Sequence, residues 1–229
     1  MSTAPRTAIL YFAFSPEEEA KRKPLLPGHG GGTDVRLYRL LQQALSDKVA
    51  PLGLPVLHFD EQRQRGSGFG QRMVHAIQDA FGEGYDRLII LGNDIPELKT
   101  EHIQAALESL GRKENYLIRT DRGGAGLIGI QAKNFHPEVW TELDWQGDRM
   151  FDDLFDVIPD CKVHRDVLLD INVLGDAFQY LHEYRGRDEV ADYLAAILLP
   201  VLGSTDSDER AVTAPGSSAF RLRGPPYAS

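Results

Sequence analysis

Asn93 and Asp94 stand at the glycine turn that ends a short apolar run, Leu88–Leu91, and Pro96 closes that turn. An apolar run without polar alternation suits a strand buried on both faces, as in the parallel sheet of an α/β protein. Ligands of such sheets gather beyond the carboxyl ends of the strands, where Asp94 would sit. A hard carboxylate there can hold a divalent cation against phosphate oxygens, since Mg²⁺ takes one or two carboxylates and completes its shell with substrate and water. The competing reading is structural: Asn93 and Asp94 cap a helix whose body is Leu98–Leu110. Spacing alone leaves both open.

Other groups carry weaker signals of the same kind. Gly66-Ser67-Gly68-Phe69-Gly70 precedes a helical pattern, so its amides could cradle a phosphate. It has neither the Lys-Ser/Thr of a P-loop nor the dinucleotide fingerprint. Gly123 and Gly124 let a backbone approach a ligand closely, and equally well make a plain hairpin turn. Lys21, Arg22 and Lys23 could reach phosphates, or form a solvated charge run. Trp145 offers a face for a sugar ring, or an anchor for the core. Seven histidines are scattered without a paired spacing such as His-Glu-x-x-His, and there is no Gly-x-Ser-x-Gly elbow. The single cysteine, Cys161, excludes an intrachain disulfide, reads as a buried inert thiol and suits a reducing cytoplasm.

These side chains must be positioned by one large α/β domain, because 229 residues are too few for two ordinary domains and a tail. A formal net charge of −9 argues against nucleic acid or anionic membrane as main partners. No stretch is long enough to span a bilayer, and residues 193–202 are broken by Pro200. The first strand is expected over Ala8–Phe14, followed by a charged loop, Glu17–Lys23, and a segment to Thr33 that is mobile or shaped by a ligand. Helical spacing appears over Val35–Leu45 and Phe69–Phe81, with a strand over Leu54–Phe59 between them. Strands are expected at Tyr116–Arg119 and Ala125–Ile130, and as two short pieces at Lys162–His164 and Val167–Leu169. Helices are expected at Phe151–Val157, Asp176–Tyr184 and Val190–Leu202. The alternation predicts a three-layer α/β/α sandwich with a mostly parallel sheet, spanning residues 1–202. Residues 203–229 read as a flexible tail, in which the basic, partly apolar stretch Ala219–Pro226 could dock on the domain or a neighbouring subunit.

Four segments together carry a family resemblance: Gln64–Arg72, Gly92–Leu98, Gly123–Ile130 and Leu169–Asp176. In this order the chain resembles a bacterial family of GT-A-like proteins, a glycosyltransferase or nucleotide-diphospho-sugar transferase group labelled a domain of unknown function. The resemblance covers about residues 8–182, and Gly92-Asn93-Asp94-Ile95-Pro96 is its most specific part. It implies a Rossmann-like GT-A domain that binds a nucleoside diphosphate-sugar or nucleoside triphosphate through Mg²⁺ or Mn²⁺. It implies Asp94 and Asp170 as catalytic metal-binding carboxylates, with Asn172 where most relatives have aspartate. A neutral amide oxygen can still ligate the ion but adds no charge. The implied nucleotide or substrate contacts are Phe12, Ala13, Lys23, Gln64, Gly66, Gly70, Arg72, Asn93, Arg122, Gly123, Gly124 and Trp145. The family's basic first loop is replaced here by residues 12–23, and its third-motif aspartate aligns with Arg122, a possible anion clamp. These departures keep open a second reading: a catalytically impaired ligand-binding or protein-interaction module, of which a homo-oligomer is one form. The acceptor is unknown.

Overall fold

The computed structural model describes residues 5–26 and 28–203, with the side chains of residues 200–203 left out, so the expected tail and its docking stretch lie outside the described residues. Six strands form a single sheet: β1 (Thr7–Phe12), β2 (Val56–Phe59), β3 (Arg87–Leu91), β4 (Asn115–Thr120), β5 (Ala125–Gln131) and β6 (Cys161–Leu168), in the order β2-β1-β3-β5-β4-β6. The β1–β2, β1–β3 and β4–β6 pairs are parallel, and β5 runs antiparallel to both β3 and β4.

Helices cover both faces, which explains the apolar runs of the inner strands β1 and β3. Along β1, Ala8, Leu10 and Phe12 face the layer of α3 (Phe69–Gly82), α5 (Pro137–Thr141) and α6 (Met150–Val157), where Trp140 is fully buried. Ile9 and Tyr11 face the opposite layer, where α2 (Gly31–Val49) and α4 (Thr100–Gly111) contribute Leu45, Val49, Ile103 and Leu110. A third cluster joins α1 (Pro16–Arg22), α2, α7 (Leu174–Tyr184) and α8 (Glu189–Gly203) around Leu25, Leu26, Tyr38, Leu169 and Ile171. The connections leaving β1 and β3 run to opposite sides, so the carboxyl ends of these two neighbours form the topological switch point.

Three expectations are corrected. The charged stretch expected as a loop over Glu17–Lys23 is helical through Arg22, with Lys23 at the C-cap. Ser15 caps α1 by accepting from the Glu18 amide at 3.4 Å, Pro16 opens the helix, acids fill its first turn and Lys21 and Arg22 its last. What reads as a solvated charge run is thus a charge order matched to the helix dipole. Next, the segment towards Thr33 is anchored: Asp34 is buried and accepts from the Leu25 and Leu26 amides at 2.8 and 3.0 Å. Lastly, the two short strands near residue 165 are one, β6. Its register to β4 shifts between the Leu117–Val163 and Arg119–Val167 pairs, so residues 164–166 form a bulge.

Candidate functional site

At the switch point the ends of β1 and β3 open into a cleft. Its inner part is a cavity of about 180 Å³ lined by Phe12, Phe69, Ile90, Asn93, Asp94, Gly124, Trp145, Met150 and Asp170, among others. An outer part of about 610 Å³ shares Phe69, Gly124, Trp145, Met150 and Asp170, and adds Arg122, Gln146 and Asn172. One wall is aromatic and aliphatic, the other acidic.

Asp94 reaches the cleft from the turn after β3 and does not cap α4. Lys99 occupies that helix's N-cap position, and its amide donates to Nδ1 of His102 at 3.2 Å. The turn is instead tied to the loop after β6, where the Ile171 amide donates to the Asp94 carbonyl at 2.9 Å. That bond sets Asp170 beside Asp94. Burial, reinforced by the Asp94 charge, pushes the Asp170 carboxyl up to about 7. Its Oδ1 is buried without a hydrogen-bond partner among the described residues. Asn172 accepts from the Lys23 ammonium, whose Nζ also lies 3.5 Å from Asp94 Oδ2, and it offsets part of the rise at Asp170. Lys23 comes from the end of α1, which Tyr38 pins by donating to the Lys23 carbonyl at 2.7 Å.

Some expected residues line this cleft and others stand apart from it. Asn93 lines it and offsets a little of the burial-driven rise at Glu19. Arg122 reaches it already paired with Asp176, whose other oxygen holds the Asn172 and Val173 amides at 2.8 and 2.9 Å. Trp145 forms a wall, its indole N–H donating to the Trp140 carbonyl at 2.8 Å. Ala13 is buried beneath the rim, and its carbonyl lies 3.0 Å from His58 Nε2. Gln64 and Arg72 bond each other at 3.1 Å, and Gln64 also donates to the Phe59 carbonyl; neither lines the cleft. The glycines have local reasons. A Cβ on Gly70 would lie 2.6 Å from the Trp145 ring, one on Gly66 2.8 Å from Gln71 Cβ, and one on Gly123 would overlap the Asp148 carbonyl oxygen. Gly124 lines the cleft and closes the β4–β5 hairpin through Thr120.

Glu19 carries no signal in a stretch that reads as a charged loop. On a helix, Glu19 and Lys23 are four apart and share the face that meets the cleft. Burial, then the Asp94 charge, raises the Glu19 carboxyl above its ordinary range. Tyr11, whose buried hydroxyl has no partner among the described residues, lies close enough for Glu19 and Asp94 to add to the effect of burial in raising its pKa.

Away from the cleft, His102 on α4 and His164 and Asp166 on β6 place one ligand atom each within 4.8 Å of one another. No spacing in the chain announces this group; the bulge in β6 and the facing helix create it. Both imidazole Nε2 atoms approach Asp166 Oδ2, at 3.3 and 3.4 Å. Because the Lys99 amide occupies Nδ1 of His102, neutral His102 carries its proton on Nε2 and donates it to Asp166. A metal on that nitrogen would need the proton on Nδ1, facing the amide hydrogen. This wiring favours protons over a metal. Cys161 is half-buried, and burial pushes its thiol up to about 12, which keeps it from being a nucleophile.

This architecture has counterparts among solved proteins. A Desulfovibrio desulfuricans protein provisionally named a nucleotide-diphospho-sugar transferase superposes with a TM-score of 0.70 at 23% identity, over 84% of this chain and 95% of that one. The fold is GT-A-like. The Rv0371c protein of Mycobacterium tuberculosis matches more loosely, with a TM-score of 0.48 at 12% identity over 79% of this chain and 100% of its own. The family model described as an uncharacterized protein conserved in bacteria (DUF2064) matches residues 35–147. Those residues hold Asp94, Gly124 and Trp145 of the GT-A-like cleft, whereas Lys23, Asp170 and Asn172 fall outside them. No curated protein sequence matches the chain. No helix among the described residues is long and apolar enough to cross a membrane.

Proposed function

We propose that the chain is a metal-dependent transferase acting on an activated nucleotide, either a nucleoside diphosphate-sugar or a nucleoside triphosphate. The observation that carries this reading is the buried, unpartnered Oδ1 of Asp170 beside Asp94 at the switch point of a GT-A-like sheet. Two neighbouring carboxylates, with Asp170 pushed up by burial and by the Asp94 charge, suit a hard divalent cation, Mg²⁺ or Mn²⁺, with the Asn172 amide oxygen as a neutral third donor. The bound ion would neutralise charge developing on the leaving phosphate.

The chain's own residues do the rest. Asp94 and Asp170 would hold the ion, which would supply positive charge to the phosphates. Arg122 supplies positive charge in the outer cleft, Lys23 lies against Asp94 and Asn172, and Phe12, Phe69, Ile90 and Met150 keep water from the inner wall. Trp145 gives a flat apolar face for a sugar or base. A second reading, a nucleotide-binding module without turnover, draws on Asn172 and on the engagement of Arg122 with Asp176. Both readings take residues 1–202 as the working domain.

Titration calorimetry of UDP, GDP and CDP with Mn²⁺ tests the reading. Binding that requires the metal and disappears in Asp94→Ala supports it. Absence of binding to every nucleotide in the presence of metal overturns it. Release of free sugar or pyrophosphate from a bound donor then separates turnover from binding alone.

A further inference from the structure

The cleft already holds a cation of its own. The Lys23 ammonium stands 3.5 Å from Asp94 Oδ2 and bonds Asn172 Oδ1, so it engages two of the three groups that a divalent ion would need as oxygen donors. The side chain is only 17% exposed, and Tyr38 fixes the backbone from which it reaches in. Asn172 is matched to this arrangement. Its carbonyl oxygen takes the ammonium while its backbone amide is held by Asp176 at 2.8 Å. An aspartate at that position would set a third carboxylate against Asp94 and Asp170. The neutral residue at 172 and the lysine at 23 therefore form one device.

Resting on the metal reading of this cleft, we propose that Lys23 is a resident counter-cation that closes the site to a free divalent ion until a phosphate-bearing ligand draws the ammonium away. An ammonium and a divalent ion held by the same carboxylate repel each other strongly at such separations. A metal arriving alone must push Lys23 off Asp94 and Asn172 with no partner offered in return. A diphosphate supplies anionic oxygens that accept the ammonium, so its displacement is offset and metal and nucleotide bind together. Their coupling is reciprocal: each raises the affinity for the other by the same factor. The device would keep the carboxylates from trapping ions while no substrate is present.

The test is Mn²⁺ binding to the full chain without nucleotide, read from the electron paramagnetic resonance signal of the free ion. Lys23→Met is expected to bind Mn²⁺ at least roughly tenfold more tightly than the wild type, equivalent to about 1.4 kcal/mol. Lys23→Arg, which keeps the charge, should stay weak, and Lys23→Met with Asp94→Asn should lose the gain. Lys21→Met, at a side chain 74% exposed, controls for net charge and should change little. Lys23→Gln serves the same purpose as Lys23→Met should the apolar variant fold poorly. The proposal is overturned if the folded neutral variants bind Mn²⁺ no better than the wild type, or if Lys21→Met gains as much. Since no nucleotide enters the measurement, tighter Mn²⁺ binding stands even where every nucleotide fails to bind. Metal-dependent nucleotide binding without that gain sinks the lysine proposal alone.

Discussion

In the cleft, Asp170 keeps a buried oxygen without a partner and faces a second carboxylate; on β6, Asp166 takes both His102 and His164 on one oxygen and is approached by Arg165 from the other side at 3.5 Å. Both regions gather titratable groups from distant parts of the chain. Burial without sufficient partners raises the Asp170 carboxyl, whereas hydrogen bonds from the imidazoles lower that of Asp166. The first arrangement leaves an acceptor open among the described residues, the feature on which the metal reading rests. The second completes itself. Closeness of potential ligand atoms is therefore a poorer guide to a binding site than the count of what each atom already holds.

The largest way to break the comparison is to remove one carboxylate from each region. Asp94→Ala should weaken Mn²⁺-dependent nucleotide binding about a hundredfold or more, equivalent to roughly 2.7 kcal/mol. Asp166→Asn should leave it within about twofold in the same calorimetric titration. Comparable losses would show that the β6 group takes part in the site after all. A structural counterpart is Gly123→Ala, which combines a φ of +81° with an overlap on the Asp148 carbonyl. It should cost about 2–4 kcal/mol in urea unfolding and collapse the outer cleft.

Opposite pH dependence sharpens the contrast. The folded-state pKa of Asp170 lies above its unfolded value, so its contribution to stability is full below about 4 and is lost as pH rises through about 7. Asp170→Asn should therefore raise stability at pH 8 by about 1–3 kcal/mol and change it little near pH 4, as read by urea unfolding. His102 is held below its ordinary pKa, chiefly by burial, so its contribution is present above the unfolded value near 6.5 and is lost as pH falls through the lower folded value. His102→Gln should thus flatten the acid side of the stability profile and Asp170→Asn the neutral side; the same slope lost in both would erase the distinction. The smallest expected effect is Ser15→Ala. It removes the α1 cap and should cost about 1 kcal/mol. The accompanying rise in Mn²⁺ affinity should be slighter than that of Lys23→Met, because a frayed α1 delivers the ammonium less firmly.

The fold was largely legible in the chain because both sheet faces are covered: unbroken apolar runs such as Leu88–Leu91 leave few alternatives. The site was legible where a motif coincides with a strand end, as at Asp94. It was obscure where the deciding property is phase or register. Glu19 and Lys23 become neighbours only once residues 16–22 are helical, and a charge-rich stretch of seven residues gives a weak periodic signal. The histidine cluster depends on a bulge and on a helix whose His102 lies 64 residues from Asp166, and no local pattern encodes either. Trp145 shows the reverse difficulty. Its side chain serves both candidate roles, packing on Gly70 while walling the cleft.

The bulge in β6 has a further effect on how the sheet meets the world outside. This strand is the last in the order, so among the described residues its outer backbone groups have no neighbouring strand in the sheet. It exposes Val163 and Val167, the sort of edge on which a foreign strand could nucleate. Residues 164–166 interrupt the even spacing that such a strand would need, and Arg165 and Asp166 place charge at the interruption. The irregularity that builds a self-satisfied histidine pair also makes the sheet a poor template for aggregation.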